Sequence, residues 1–189
     1  MAEREDASGA TEPELISRAR EGDREAFGRL VERALPRAHG LALALVLRPE
    51  LAQDLVQEAC VRAFEARHTL DPARPFWPWL YQALRRLCLN ALRDARTRAE
   101  RLEAAPDALV RRQGGPDPVE VALDAERLER CRAAIAALPP REREVLALRE
   151  WEGLRYREIA ELLDVPLGTV MSRLWSARRR VATAMEEGA

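Results

Sequence analysis

Arg173, Arg178, Arg179 and Arg180 crowd one stretch near the end of the chain, just after Thr169, Met171, Ser172 and beside Ser176. Guanidinium groups bind phosphate oxygens and, through paired hydrogen bonds, base edges. The chemistry on offer is therefore recognition of nucleic acid, with no bond made or broken. A catalytic reading, such as a hydrolase, finds no support: the sequence has no P-loop, no nucleophile elbow and no metal-spaced histidine cluster. His39 and His68 are read as ordinary residues, and no cofactor or metal is expected.

Side chains of this kind reach a groove only if a second helix holds theirs in place. Residues 138–181 read as short helical patterns with tight breaks, predicted over 141–151, 156–163 and 168–185. Pro139-Pro140 stops the preceding pattern, and Glu152-Gly153 and Asp164-Val165-Pro166 supply the turns. Ala160 provides a small residue where two helices must touch, and Asp164 stands where a left-handed residue is wanted. This is the layout of a helix-turn-helix, whose second helix offers its N-terminal end to base edges and its flanks to phosphate. Thr169, Met171, Ser172, Arg173 and Ser176 fall towards that end; Arg178, Arg179 and Arg180 are the phosphate candidates. The plainer alternative is a solvated helix face in a small all-α domain.

Composition bounds the rest. With 189 residues, 47% hydrophobic and only 5% aromatic, the chain suits two small helical domains, because Ala, Leu, Arg and Glu dominate. All 31 basic residues are Arg, a preference more in keeping with coding bias than with phosphate reading. A net charge of −1 is not that of a uniformly basic DNA binder, so contacts to DNA must be local and the acidic faces serve other partners. Cys60, Cys88 and Cys131 form no C-x-x-C pair, which fits reduced thiols in a cytoplasmic setting, with Cys60 and Cys88 among apolar helical positions. The N-terminus lacks the apolar segment of a signal peptide, and the longest apolar run, 41–47, is too short to cross a bilayer; no membrane insertion is expected.

Along the first half, residues 1–12 are expected to form a disordered tail and 13–103 a helical domain. Gly22-Asp23 is a break and new helix start, Pro36 bends or restarts the path, and 41–47 suggests a helix buried all round. Pro49 suits a first turn of the next helix, 51–67. That helix buries Leu51, Leu55, Val56, Ala59, Cys60, Ala63 and Phe64, and carries Gln53, Asp54, Gln57, Glu58, Arg62 and Glu65 outside. Residues 68–75 are a loop, with Asp71-Pro72 and Arg74-Pro75. From 76 to about 103 a long amphipathic helix turns Trp79, Leu80, Ala83, Leu84, Leu87, Cys88, Ala91 and Leu92 inward, and Arg85, Arg86, Arg93, Arg96 and Arg98 outward. Trp79 is expected in the core and Trp77 partly buried, with stacking on a base as its alternative. Residues 104–118 read as an interdomain linker and 119–187 as the second domain, whose first helix is made by Val121, Leu123, Leu128, Ile135 and Leu138.

The order of these motifs carries a family likeness. Leu138-Pro139, Arg143-Glu144-Val145, Glu158-Ile159-Ala160, Val165-Pro166, Gly168-Thr169-Val170, Ser172-Arg173-Leu174 and Ala177-Arg178 resemble region four of RNA polymerase sigma factors of the extracytoplasmic function class. Gly22-Asp23, Ala26-Phe27, Asp54-Leu55, Gln57-Glu58, Phe76, Trp79-Leu80 and Leu92-Arg93 resemble region two of the same class. The likeness covers nearly all of the chain outside the tail and linker.

That resemblance implies an all-α protein of two small domains joined by a flexible linker, a subunit without its own active site. It directs initiation by core RNA polymerase at promoters with minus-ten and minus-thirty-five elements. Asp54, Gln57 and Glu58, at i, i+3 and i+4, share one exposed face and are the implied contact with core polymerase. Residues 68–75, including Asp71 and Arg74, would meet the minus-ten element and capture a flipped base. The basic face of Arg85, Arg86, Asn90, Arg93 and Arg96 would hold melted strand. Thr169, Met171, Ser172, Arg173, Ser176, Arg178 and Arg179 would read the minus-thirty-five element. An anti-sigma factor is a further implied partner. Met171 and Ser176 depart from the basic residues common at those places, so relatives do not supply the bases read; Trp175 either packs or touches the DNA backbone, and packing is the expectation. A regulator of the response-regulator output type would share the terminal helix-turn-helix, but the first half lacks the alternating strand pattern of its usual receiver domain.

Overall fold

The structure, a computed structural model, describes residues 10–102 and 120–187, with only the backbone for 96, 98–102 and 120–125. The expected linker, 104–118, lies outside the described residues. The chain divides into two compact units, Met1–Ala105 and Pro106–Ala189. Among the described residues both are built from helices alone, as expected.

The first unit comprises α1 (Glu12–Arg20), α2 (Arg24–Val46), α3 (Pro49–Glu65), a 3-10 turn (Arg67–Thr69) and α4 (Phe76–Leu102). Helix α1 begins at Glu12, inside the stretch expected as tail, and the Thr11 N–H donates to Glu14 Oε2 at 2.8 Å to close its first turn. Glu12 does more than start a helix: its Oε1 accepts the Phe76 N–H at 2.7 Å, so α1 caps the start of α4. At the next junction Gly22 takes φ +105°, a conformation costly for other residues, and frees Asp23 to cap α2. The Asp23 carboxylate accepts the Glu25 and Ala26 N–H groups at 2.9 and 3.1 Å and Arg18 Nε at 2.9 Å. The Ala26 amide, then Arg18, hold that carboxyl below its usual range.

Pro36 does not restart the chain. Helix α2 runs unbroken from Arg24 to Val46 with Pro36 inside it. A proline there forfeits one backbone hydrogen bond, but its ring lies on the exposed side while Ala34, Ala38, Leu41 and Leu45 are buried on the other. Burial of that continuous stripe offsets the missing bond. The run 41–47 is not covered all round either, since Leu43 is exposed.

Helix α3 follows most of its expected pattern, with Leu55, Val56, Ala59 and Ala63 buried, Leu51, Cys60 and Phe64 only half-buried, and Gln53, Asp54, Gln57, Glu58, Arg62 and Glu65 exposed. Phe27 joins α2 to both later helices, meeting the Phe64 and Phe76 rings edge-on at 5.2 and 5.8 Å. On α4 the two tryptophans exchange their expected places. Trp77 is buried, with the Arg37 guanidinium 4.4 Å above its ring, and Tyr81 one turn later is fully enclosed. Trp79 is only half-buried. Cys88 is enclosed, and burial pushes the half-buried Cys60 thiol up.

The second unit comprises α5 (Glu120–Ala136), α6 (Pro140–Glu150), α7 (Tyr156–Leu163) and α8 (Leu167–Glu186). Leu138, Val145, Leu148, Ile159, Val170, Leu174 and Ala177 form its core. Leu128 is half exposed, whereas Leu138 and, beside it, Ala134 are buried. Arg143 is buried in order to close a helix end. Its Nη1 donates to the carbonyls of Ala136 at 2.7 Å and Leu138 at 3.2 Å, satisfying the end of α5. Burial holds that guanidinium below its ordinary value.

Between α7 and α8 the turn takes the expected form. Asp164 adopts φ 52° in the left-handed region, and the Val165 N–H returns to the Ala160 carbonyl at 3.0 Å. Val170, Leu174 and Ala177 press one side of α8 into the unit, leaving its other sides available.

Candidate nucleic-acid and polymerase interfaces

Three surfaces carry the side chains of interest. On α3, Asp54, Gln57 and Glu58 are exposed together one helical turn apart, and Val61 adds an exposed apolar residue a turn further on. Glu58 is ion-paired with Arg62. Asp54 and Gln57 thus face solvent as an acid and an amide beside a locally neutralised pair.

The second surface lies where α3, the 3-10 turn and α4 meet. Asp71 organises the loop: its Oδ1 accepts the Ala73 N–H at 3.0 Å, and its Oδ2 lies 3.5 Å from Arg74 Nε. These two sequence-predicted residues are thus partners of one another. Between the helices is a cavity of about 500 Å³ whose lining includes Trp79, Arg86 and Asn90 of α4 with Arg62 and Thr69. Arg86 Nε donates to the Gln82 carbonyl at 3.3 Å, and Asn90 Oδ1 accepts from Arg93 at 3.1 Å. Arg85 is half-buried, turned away from the exposed face shared by Arg86, Asn90 and Arg93. Arg96 belongs to α4, its side chain outside those described. Thr69 falls within the loop that the sequence assigns to the minus-ten element, whereas Trp79 and Arg62 are not marked as site residues by the sequence; the one available signal is an indole about two turns before Arg86.

The third surface is α8. Met171 and Ser172 are exposed, and Thr169, Arg173 and Ser176 half-buried. Ser172 Oγ donates to the Thr169 carbonyl at 3.0 Å. Arg173 Nη1 is enclosed and finds no hydrogen-bond partner among the described residues. The phosphate candidates divide. Arg178 Nη2 pairs with Glu150 at 2.7 Å and its Nη1 reaches the Tyr156 hydroxyl at 3.4 Å, contacts that hold its guanidinium above its ordinary value. Arg180 Nε lies 3.2 Å from Glu142. Both arginines therefore tie α8 to α6. Arg179 is exposed, lying over the Trp175 ring at 5.2 Å. Trp175 does not pack into the core, contrary to expectation: it is 63% exposed.

Comparison with known proteins accounts for the pairing of these units. The Sigma-70 region 2 family model matches residues 30–98, and the Sigma-70 region 4 model matches residues 128–181. An ECF RNA polymerase sigma-E factor of Haemophilus influenzae is 30% identical across 95% of this chain and 98% of its own length. The ECF RNA polymerase sigma-E factor of Escherichia coli (strain K12) is 31% identical across 90% of this chain and 92% of its own. Among solved structures, CnrH in complex with the cytosolic domain of CnrY aligns with 94% of this chain and 99% of its own at 28% identity and a TM-score of 0.63. The sigma factor RpoE of Bartonella quintana, in complex with the anti-sigma factor NepR, shares the fold at 20% identity, covering 85% of this chain and 96% of its own, with a TM-score of 0.67.

The chain belongs to the extracytoplasmic function class of the sigma-70 family of RNA polymerase sigma factors, non-enzymatic subunits that direct transcription initiation. Its first unit is region two and its second, with the helix-turn-helix, is region four. Among the described residues no helix is long and apolar enough to cross a membrane.

Proposed function

We propose that the two units divide the work of promoter recognition. Region two docks on core RNA polymerase through Asp54, Gln57 and Glu58 and opens the minus-ten element with the 68–75 loop and α4. Region four reads the minus-thirty-five element with α8. Linking two modest contacts in one chain raises the effective concentration of the second, so neither interface has to be strong alone. The partners are therefore core polymerase and promoter DNA, in the cytoplasm. An anti-sigma partner joins them, a reading supported by the CnrH structure, which was solved with the cytosolic domain of CnrY.

The observation that carries the minus-ten reading is the cavity below the loop. Its volume of about 500 Å³ suits a small planar group, Trp79 lines it with an indole on which a base can stack, and Arg86 brings positive charge to its rim. A base flipped from the non-template strand meets those requirements, and its phosphates can follow Arg86 and Arg93 along the exposed side of α4. Arg85 and Arg96 extend the same basic helix.

Base–aromatic stacking contributes about 1–3 kcal/mol per base, so Trp79→Ala is expected to lower open-complex formation by about 5- to 100-fold. Fluorescence of a base analogue in the minus-ten strand measures it. Trp79→Phe should retain most of the activity, and both variants should still co-elute with core polymerase. Normal opening by the alanine variant would remove the cavity from recognition.

On α8 the contacts to phosphate fall to Arg173 and Arg179, because Arg178 and Arg180 are engaged with α6 carboxylates. Thr169, Ser172 and Ser176 lie nearest the base edges with Met171.

A further inference from the structure

Region four carries an apolar stripe that its own core does not use. Leu167, Met171 and Trp175 stand at i, i+4 and i+8 on α8 and are 39%, 53% and 63% exposed. The core-facing residues Val170, Leu174 and Ala177 occupy a different side of the helix. Three large apolar side chains in a row on an exposed helix face mark a contact surface.

The surroundings of the stripe say what covers it. The Arg179 guanidinium lies over the Trp175 ring at 5.2 Å, and the half-buried Arg173 stands two residues before that ring on the same helix. Both cations match a polyanion. Hydrogen-bonding groups on the same stretch are few: the Ser172 hydroxyl proton is spent on the Thr169 carbonyl, and Arg178 is held by Glu150. Beside the hydroxyls of Thr169 and Ser176, what the front of this helix offers to a base edge is thioether, methyl and indole carbon. In the major groove the group that matches carbon is the thymine C5-methyl.

We propose that Met171 and Trp175, flanked by Leu167, read thymine methyl groups in the upstream promoter element. Sequence preference there comes from apolar contact where a guanidinium–guanine pair would otherwise supply it. Arg173 and Arg179 hold the flanking phosphates. The inference rests on the reading of α8 as the minus-thirty-five helix.

The test uses holoenzyme reconstituted from the full chain and core polymerase. It selects duplexes from a pool randomised across both promoter elements, and the enriched duplex is resynthesised with deoxyuridine in place of each upstream thymine in turn. That change removes one methyl group and leaves the hydrogen-bonding edge intact. Enriched upstream thymines should each lose about fourfold in affinity on losing a contacted methyl, the equivalent of roughly one buried carbon. Holoenzymes carrying Met171→Ala or Trp175→Ala should each lose the difference at the thymine that the altered residue contacts, whereas Met171→Leu should keep it. Both residues are exposed, so folding is preserved, which an unshifted melting transition of region four checks. An upstream sequence that is selected yet indifferent to deoxyuridine at every thymine would overturn the inference, leave α8 as a DNA reader, and assign the stripe to a protein partner. Failure to enrich any upstream sequence would overturn the inference together with the minus-thirty-five reading beneath it.

Discussion

Alanine in place of both Asp54 and Gln57 is expected to give a folded helical chain that binds core RNA polymerase roughly 30-fold or more weakly. Both side chains are exposed on one face of α3, and neither takes part in the α3 core of Leu55, Val56, Ala59 and Ala63. Removing them costs the fold little, because substitutions on an exposed helix face away from caps and buried networks are usually within about 0.5 kcal/mol. At an interface the same groups are desolvated against a partner, and truncation then costs about 2 kcal/mol or more for a central contact. Competition for core against an unaltered sigma factor reads the difference, with circular dichroism checking helix content. The untouched Glu58–Arg62 pair provides the control, since Arg62→Gln releases Glu58 and should strengthen binding or leave it unchanged. Unchanged core affinity in the double variant would make this face an ordinary solvated stripe.

Leu174→Ala is expected to unfold region four selectively. Leu174 is almost fully enclosed between Val170 and Ala177 on the core side of α8, and a leucine truncated at such a site costs about 2–5 kcal/mol. A small domain holds little more than that in reserve, so its melting midpoint should fall by roughly 10–30 °C. Region two has its own core around Leu15, Ile16, Leu30, Val56, Tyr81 and Leu84, and should melt as before. The variant should therefore still form holoenzyme but lose discrimination at the upstream element. Two calorimetric transitions, one shifted and one not, check the first part; a footprint reduced to the downstream element checks the second. Loss of both transitions together would show that the units do not fold independently.

Much of this architecture is legible in the sequence because local chemistry fixes it. Gly22-Asp23, Pro49, Pro139-Pro140 and Asp164 each act through their own backbone or their own cap, and the helices begin and end where those residues put them. Expectation and structure part where a tertiary partner decides the outcome. Pro36 is a helix breaker by local rules, but the buried stripe on either side of it carries α2 through. Trp77 and Trp79 are both apolar and only two positions apart, so periodicity alone does not set the phase of α4. Arg37 from α2 and the neighbouring Tyr81 settle it by enclosing Trp77, which turns Trp79 to the cavity beside α3. The cap that Glu12 places on Phe76 has no local signature, since those residues meet only after the whole unit has folded.

The interfaces are legible as residue types and less so as engagements. Exposure of Asp54, Gln57 and Glu58 follows from the i, i+3, i+4 spacing. Nothing in the run from Arg178 to Arg180 marks Arg179 as the cation over the Trp175 ring and its neighbours as staples to Glu150 and Glu142. Those carboxylates sit on α6, and only the packing of α6 on α8 selects which guanidinium they reach. Packing is the natural expectation for Trp175 because large aromatics usually bury their area. Here the ring stays exposed on α8 and is met by Arg179.

The most direct measurement is reconstitution: the purified chain is mixed with core RNA polymerase freed of other sigma factors, and the transcripts from host genomic DNA are mapped. The account predicts a stable holoenzyme that starts transcription at a restricted set of promoters sharing a downstream and an upstream element. A folded chain that fails to join core polymerase in the absence of any inhibitor, or joins it without changing where transcription starts, would contradict it.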